Sequence, residues 1–258
     1  FDAVLHKYNH AGLIDYGALK RDRGALDSYL ASLASLSAKA LERAPMGEAI
    51  AFYLNAYNAI MIDIVLRHYP IEKKTFLSFY PAQSVRQIDG VFDGIRTRVA
   101  GRELTLDDIE HRCLRREFKE PRIHFALVCA ARGCPALAQE AYRGAVLGEQ
   151  LDSAASRFFR DRSKNRFDEA SRRVEVSSIL RWYGDDFRGA KGLAPFRSYP
   201  EPEASILSIF AAFDPEFAAA AAVSGVAGNE PPSPLRPWKV EYLDYDWTLN
   251  DYAPSEAK

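Results

Sequence analysis

Residues 122–137 read RIHFALVCAARGCPAL, and the rest of the chain is organised around them. The run opens after Pro121, which cannot continue a helix, and stays apolar from 123 to 131 with only His124 and Cys129 interrupting. A short apolar run bounded by Pro and Gly predicts a strand buried on both faces. The strand would end in Arg132-Gly133-Cys134-Pro135, a turn that sets a thiol where the chain leaves the core. Loops held by a rigid scaffold commonly carry function. Cysteine is also among the most buried residue types and usually inert there, so a plain core strand is the competing reading.

Upstream, residues 48–69, EAIAFYLNAYNAIMIDIVLRHY, predict a long helix with only a narrow polar sector around Ala56, Asp63 and Arg67. Such a helix is buried on most sides. Asn55 and Asn58 fall on its apolar side, and an unpaired buried amide costs about 1–3 kcal/mol. Both are therefore expected to be hydrogen-bonded outside their own helix, either bracing a loop's backbone or lining a cleft that holds a catalytic group or a substrate amide.

Between these two stretches the spacing predicts a hairpin, 95–99 against 102–104, turning at Ala100-Gly101. Thr105 with Asp108 makes a capping box, so a helix should start at Leu106. Its apolar face is Leu106, Ile109, Cys113 and Leu114, with Glu110 inside that face and His111 on its flank. Further out, the N-terminal 45 residues read as a helical segment, and 139–160 as a helix with Leu147, Leu151, Ala155, Phe158 and Phe159 inward. A second hairpin is expected around Phe167 and 174–176, a short helix capped by Ser177 or Ser178, and a mostly helical stretch over 205–222. A linker at 225–238 then leads into a returning strand within 239–250. The last five residues are expected to fray. These elements predict a single α+β domain: helices packed around a small, mostly antiparallel sheet, with one central buried helix and its core over 46–224.

The whole composition excludes several classes. The 258 residues are 48% hydrophobic and 27% charged with a net charge of −1, so nothing argues for a nucleic-acid partner. No apolar run approaches the ~18 residues of a membrane span. The chain starts at Phe1 rather than Met, which suits a removed leader and an exported protein. Three cysteines allow one bridge and one free thiol. Histidines at 6, 10, 68, 111 and 124 come with no CxxC pair, and neither a metal nor another cofactor is expected. No glycine-rich phosphate loop or G-x-S-x-G elbow is present.

Thiol chemistry remains. A cysteine needs a base or a positive neighbour to be thiolate at neutral pH. On a regular strand His124 and Cys129 face opposite sides, and His124 lies far from Cys134, so His124 reads as a packed or supporting residue. His111, with Glu110 beside it, is the better base.

AFYLNAYNAIMIDIVLRHYP (51–70), ELTLDDIEH (103–111), PRIHFALVCAARGCPAL (121–137), SSILRWYGDDF (177–187) and YLDYDWTLN (242–250) resemble the successive motifs of the domain of unknown function 547 family, DUF547. The resemblance spans about 15–250. Its motifs contain Asn55, Tyr57, Asn58, Glu110, His111, His124, Cys129, Cys134 and Pro135, while Cys113 falls outside them and reads as packing. Bacterial members of the family often look exported, which is what the resemblance implies here. A weaker similarity points to papain-like and transglutaminase-like folds, which set Cys at the start of a central helix with His on a later strand. Here the central helix offers Asn55, and the thiols follow the candidate histidine.

The reading that follows is a thiol-dependent hydrolase or acyltransferase acting on amide or related bonds of a small-molecule or peptide ligand. Cys134 would be the nucleophile with Cys129 as the alternative, His111 the base, and Glu110 its orienter. Asn55, Asn58, Tyr57, Arg132 and His124 would form the substrate side. Its rivals are a non-catalytic binding module with a polar cleft, and a redox protein using Cys129 and Cys134 as a reversible pair. The two thiols are close enough for a bridge if their α-carbons approach within about 7 Å, and reduced thiols are expected if Cys134 is a nucleophile.

Overall fold

Met46–His68 forms one 23-residue helix in which every residue from 49 to 66 except Phe52 is buried. Pro45 precedes its first turn, and the chain leaves it in extended conformation at Tyr69. The polar sector is where the wheel places it: Asp63 is buried and paired with Arg23 at 2.8 Å and Arg67 at 2.8 Å. By length and mean hydropathy (1.6) this helix is long and apolar enough to cross a membrane. Yet 94% of the relevant stretch is buried inside the fold. Helices Glu203–Phe213 and 215–222 reach that threshold only when taken together, and they are bent by 118°.

The computed structural model describes residues 1–77, 79–188, 196, 199–223 and 237–252. The chain divides into two compact units, one made of 1–154 and the chain from 246 onward, the other of 155–245. The expected linker at 225–238 lies outside the described residues as far as 236, and the expected fraying of the last five residues also lies outside them.

In the first unit, helix Asp2–Tyr8 leads into a two-residue hairpin, Asn9–His10 against Leu13–Ile14. Helices Tyr16–Arg21, Gly24–Ser35 and Ala38–Glu42 follow, and Gly24–Ser35 packs on the central helix. The expected hairpin is Thr97–Val99 against Arg102–Leu104, with Ala100 and Gly101 both at positive φ in its turn. The capping box forms in both directions. Thr105 Oγ1 accepts from the Asp108 N–H at 3.0 Å, and the Asp108 carboxylate accepts from the Thr105 N–H at 3.2 Å. The helix it starts then widens into a π-helix over Asp108–Arg115. Leu106, Ile109 and Leu114 are buried on it as expected, and Glu110 with them.

In the second unit, Arg166–Asp168 and Arg173–Ser177 pair antiparallel, and Lys239–Leu243 joins the latter in parallel. Phe159, Phe210, Phe217 and Trp238 build its core, with the Phe210 and Phe217 rings 4.5 Å apart. Ser177 caps helix Ser178–Trp182, and Asp214 caps the helix 215–223 through the N–H groups of Glu216 and Phe217. The fold is α+β, with small and mostly antiparallel sheets.

The strand expected over 123–131 does not form. Pro121–Phe125 is a 3-10 turn, started by Pro at its first position and capped by the Glu120 carboxylate on the Arg122 N–H. Residues 126–129 have no regular structure, and 131 makes a single antiparallel bridge to Leu249. Ile123, Phe125, Leu127 and Val128 are all buried, so the apolar run signals burial correctly. It cannot signal a strand, because the backbone groups of 126 and 128 are satisfied by a side chain rather than by a ladder.

Candidate functional site

Cys129 and Cys134 are joined in a disulfide, with α-carbons 6.2 Å apart. Cys134 is buried, at 3% exposure, and Cys129 is half-buried. The Cys129 N–H donates to the Cys134 Sγ at 3.0 Å. The nucleophile reading expects both thiols reduced, and the structure holds them oxidised. Cys113 is the free thiol, half-buried next to Tyr53, with burial pushing its pKa up and Tyr53 opposing. That environment makes it a packing cysteine rather than a reactive one.

Two scaffolds hold the bridged loop. On one side stands Asn58, whose Nδ2 donates to the Ala126 carbonyl at 3.0 Å and whose Oδ1 accepts from the Val128 N–H at 2.9 Å. On the other lies the segment 246–252. Arg132 N–H donates to Thr248 O at 2.7 Å, Gly133 N–H to Asp246 O at 2.8 Å, and Asn250 N–H to Ala130 O at 3.0 Å. Ala130 itself sits at φ +59°, a left-handed position that costs a non-glycine residue on the order of 1 kcal/mol and persists only where the surroundings enforce it. After the bridge, Asn9 holds the chain by donating to Leu137 O and Ala138 O. Gly12 at φ +100° lets its turn press against Ala136, where a Cβ would stand 2.8 Å from the Ala136 Cβ.

Asn55 does for another loop what Asn58 does for this one. Its Nδ2 donates to Tyr142 O at 2.8 Å and its Oδ1 accepts from the Tyr142 N–H at 2.9 Å. Both carboxamides are buried and bonded to loop backbone outside their own helix. A cavity lined by Asn58, Tyr16, Met61, Val128, Ala130 and Asn250, among others, has a volume of about 10 Å³, room for about one water and no ligand. Tyr57 is buried on the same helix.

The acid–base candidates are spread over two elements. Glu110 is buried, at 6% exposure, on the π-helix. His111 is partly exposed, with its Nδ1 3.1 Å from Arg115 and its Nε2 3.9 Å from Asp107, both on its own helix. Burial holds Asp107 above the ordinary carboxylate range, with Glu110, Asp93 and Asp108 adding and His111 opposing. His124 is buried in the 3-10 turn, so strand parity does not govern where it points. Arg132 is exposed at the tip of the bridged loop, and its charge reaches Asp251.

Sequence patterning gives the segment 246–252 no place in the site, yet the structure puts it there. The available signal is Asp246, Trp247 and Thr248, polar and aromatic residues at the end of a returning strand. Trp247 lies between the two residues that accept from Arg132 and Gly133, and the Arg86 guanidinium sits 5.1 Å from the ring centres of both Trp247 and Tyr80. Among the described residues no group of three or more His, Cys, Asp or Glu is placed to hold a metal.

No curated protein and no solved structure matches the chain. A family model described as a protein of unknown function, DUF547, matches residues 41–159. That is narrower than the resemblance read over 15–250, and it leaves the SSILRWYGDDF and YLDYDWTLN motifs outside. The central helix, the capped π-helix and the bridged loop all fall within the match, so the likeness to DUF547 rests on the elements that build the site.

Proposed function

We propose that the chain is a thiol–disulfide exchange protein whose centre is the Cys129–Cys134 pair. The observation that carries this reading is a bridge between a half-buried and a buried cysteine, the buried one's sulfur accepting a backbone N–H at 3.0 Å. A thiolate from a dithiol, on a small molecule or a peptide, attacks Cys129 Sγ. The Cys129–Cys134 bond breaks, and its electron pair leaves on Cys134 Sγ as a thiolate that accepts a hydrogen bond from the Cys129 N–H and is then protonated from solvent. The second thiol of the donor then resolves the mixed disulfide, releasing Cys129. The donor loses two electrons and two protons, and the protein gains both. An exported setting would keep such a pair oxidised at rest.

Thiol-dependent hydrolysis or acyl transfer is the second reading, favoured by the same N–H. Once reduced, Cys134 is a sulfur with a donor already aimed at it, which lowers a thiol pKa. It also requires His111 to reach that sulfur, whereas the bonds of His111 run to its own helix.

Equilibration of the whole protein with dithiothreitol and with glutathione buffers, followed by alkylation and mass measurement, tests the first reading. Reversible gain and loss of two hydrogens at Cys129 and Cys134 is expected, together with catalysis of disulfide reduction in a model peptide. A bridge that resists both reductants in the native state rules exchange out and leaves a non-catalytic binding module. Turnover of amide or ester substrates by the reduced protein only, abolished in Cys134→Ala, moves the assignment to the hydrolase.

A further inference from the structure

We infer that Asn58 is the positioning residue of the disulfide centre, acting through the peptide at Val128 rather than by touching a substrate. The inference rests on the exchange reading above. Asn58 is buried, with 2% exposure, in the middle of the central helix, and it grips the loop at two points, Ala126 O and Val128 N–H. Val128 immediately precedes Cys129. The Val128 N–H lies in the peptide just before the one that carries the Cys129 N–H, so only the Val128 φ and ψ stand between the clamp and the N–H that meets Cys134 Sγ. The next residue, Ala130, is in a left-handed conformation that an unconstrained chain leaves readily.

The clamp therefore holds the loop in the one arrangement in which the sulfurs meet. Coupling of this kind is reciprocal: whatever factor the clamp adds to the bridge-forming equilibrium, the bridge adds to the clamp. Loss of the clamp should thus disfavour the bridge.

Asn55 supplies the internal control. It has the same side chain on the same helix, three residues earlier, and the same two-point grip, but on Tyr142. If Asn58 were only a structural brace, removing either amide would have the same consequence.

The test is redox equilibration of the whole protein against graded glutathione ratios for wild type, Asn58→Ala and Asn55→Ala, read by alkylation and mass. The bridge-forming equilibrium constant should fall about tenfold in Asn58→Ala, one net hydrogen bond's worth and equivalent to about 30 mV, and stay unchanged in Asn55→Ala. Amide hydrogen exchange of wild type provides a second readout that needs no variant to fold. Reduction should speed exchange at the Val128 N–H and leave the Tyr142 N–H as it was. Equal shifts in the two variants, no shift in Asn58→Ala, or a Val128 exchange rate indifferent to reduction overturns the inference. A wild-type bridge that does not titrate at all defeats the exchange reading itself, which is a different result.

Discussion

Asn55 and Asn58 stand three residues apart on one helix and pin two different loops by the same pair of hydrogen bonds, one given and one received. A carboxamide used in this way stands in for a peptide of a neighbouring strand. It allows a loop to be buried without a sheet to receive it. Removing it orphans a buried N–H and a buried carbonyl, each worth about 1–3 kcal/mol. Asn55→Ala should therefore lower the unfolding free energy by about 2–4 kcal/mol. Urea denaturation should show an earlier midpoint with an unchanged slope.

Thr105→Ala should cost about 1 kcal/mol, since it strips the hydroxyl that accepts the Asp108 N–H. The reciprocal half of the box is pH-dependent. The Thr105 N–H holds the Asp108 carboxyl below its ordinary 3.8, with Arg112 helping and slight burial opposing. A lowered folded value gives stability that is present above the ordinary value and lost as pH falls through the lowered one. Acid titrations of wild type and Asp108→Asn should converge below the carboxylate range and diverge above it.

Tyr69 reports the opposite end of the scale. Burial, with the 2.7 Å bond to Asp251 adding to it, pushes its phenol from 10.0 up to about 12. A raised folded value contributes stability that is full below pH 10.0 and disappears as pH climbs through about 12. Tyrosinate absorbance should show this phenol titrating late, and Tyr69→Phe should flatten the alkaline limb of the stability curve.

Gly12→Ala combines a disallowed backbone with a collision. Gly12 has φ +100°, and the new Cβ would lie 2.8 Å from the Ala136 Cβ and 3.0 Å from its Cα. A loss of more than about 1 kcal/mol is expected. Exchange of the loop amides around 134–137 should accelerate well before global unfolding.

In the second unit, Asp214 is fully buried, paired with Arg162 and capping helix 215–223 through two N–H groups. Asp214→Ala removes cap and partner together, with an expected cost of about 2–4 kcal/mol. Arg162→Ala should cost less, because the arginine is partly solvent-exposed and the caps survive. Thermal unfolding of the two variants gives the comparison.

Local patterns carry much of the fold. The wheel of 48–69 identifies a buried helix and its amides, and Thr105 with Asp108 announces a helix start through side chains alone. Residues 122–137 mislead for a physical reason: apolarity reports burial, whereas strand formation needs a neighbouring backbone. That backbone is supplied here by one asparagine and by a segment more than a hundred residues away in sequence. The pairing of Cys129 with Cys134 stays open from spacing alone, since a turn of five residues permits a bridge without requiring one. The widening of 108–115 into a π-helix is hidden as well, because a fixed 100° wheel has no place for it.

The acceptors that hold the bridged loop, the carbonyls of Asp246 and Thr248, are synthesised long after Arg132 and Gly133. The first unit is interrupted by the whole of the second, so during translation the cysteines emerge while one wall of their site does not yet exist. Asn58, made earlier, is already there. A nascent chain paused before residue 246 thus carries a half-built thiol site, gripped by the helix and open on the other side. Oxidation at that moment would proceed on a looser loop than the finished protein presents, which makes the timing of bridge formation a property of chain order as much as of the folded site.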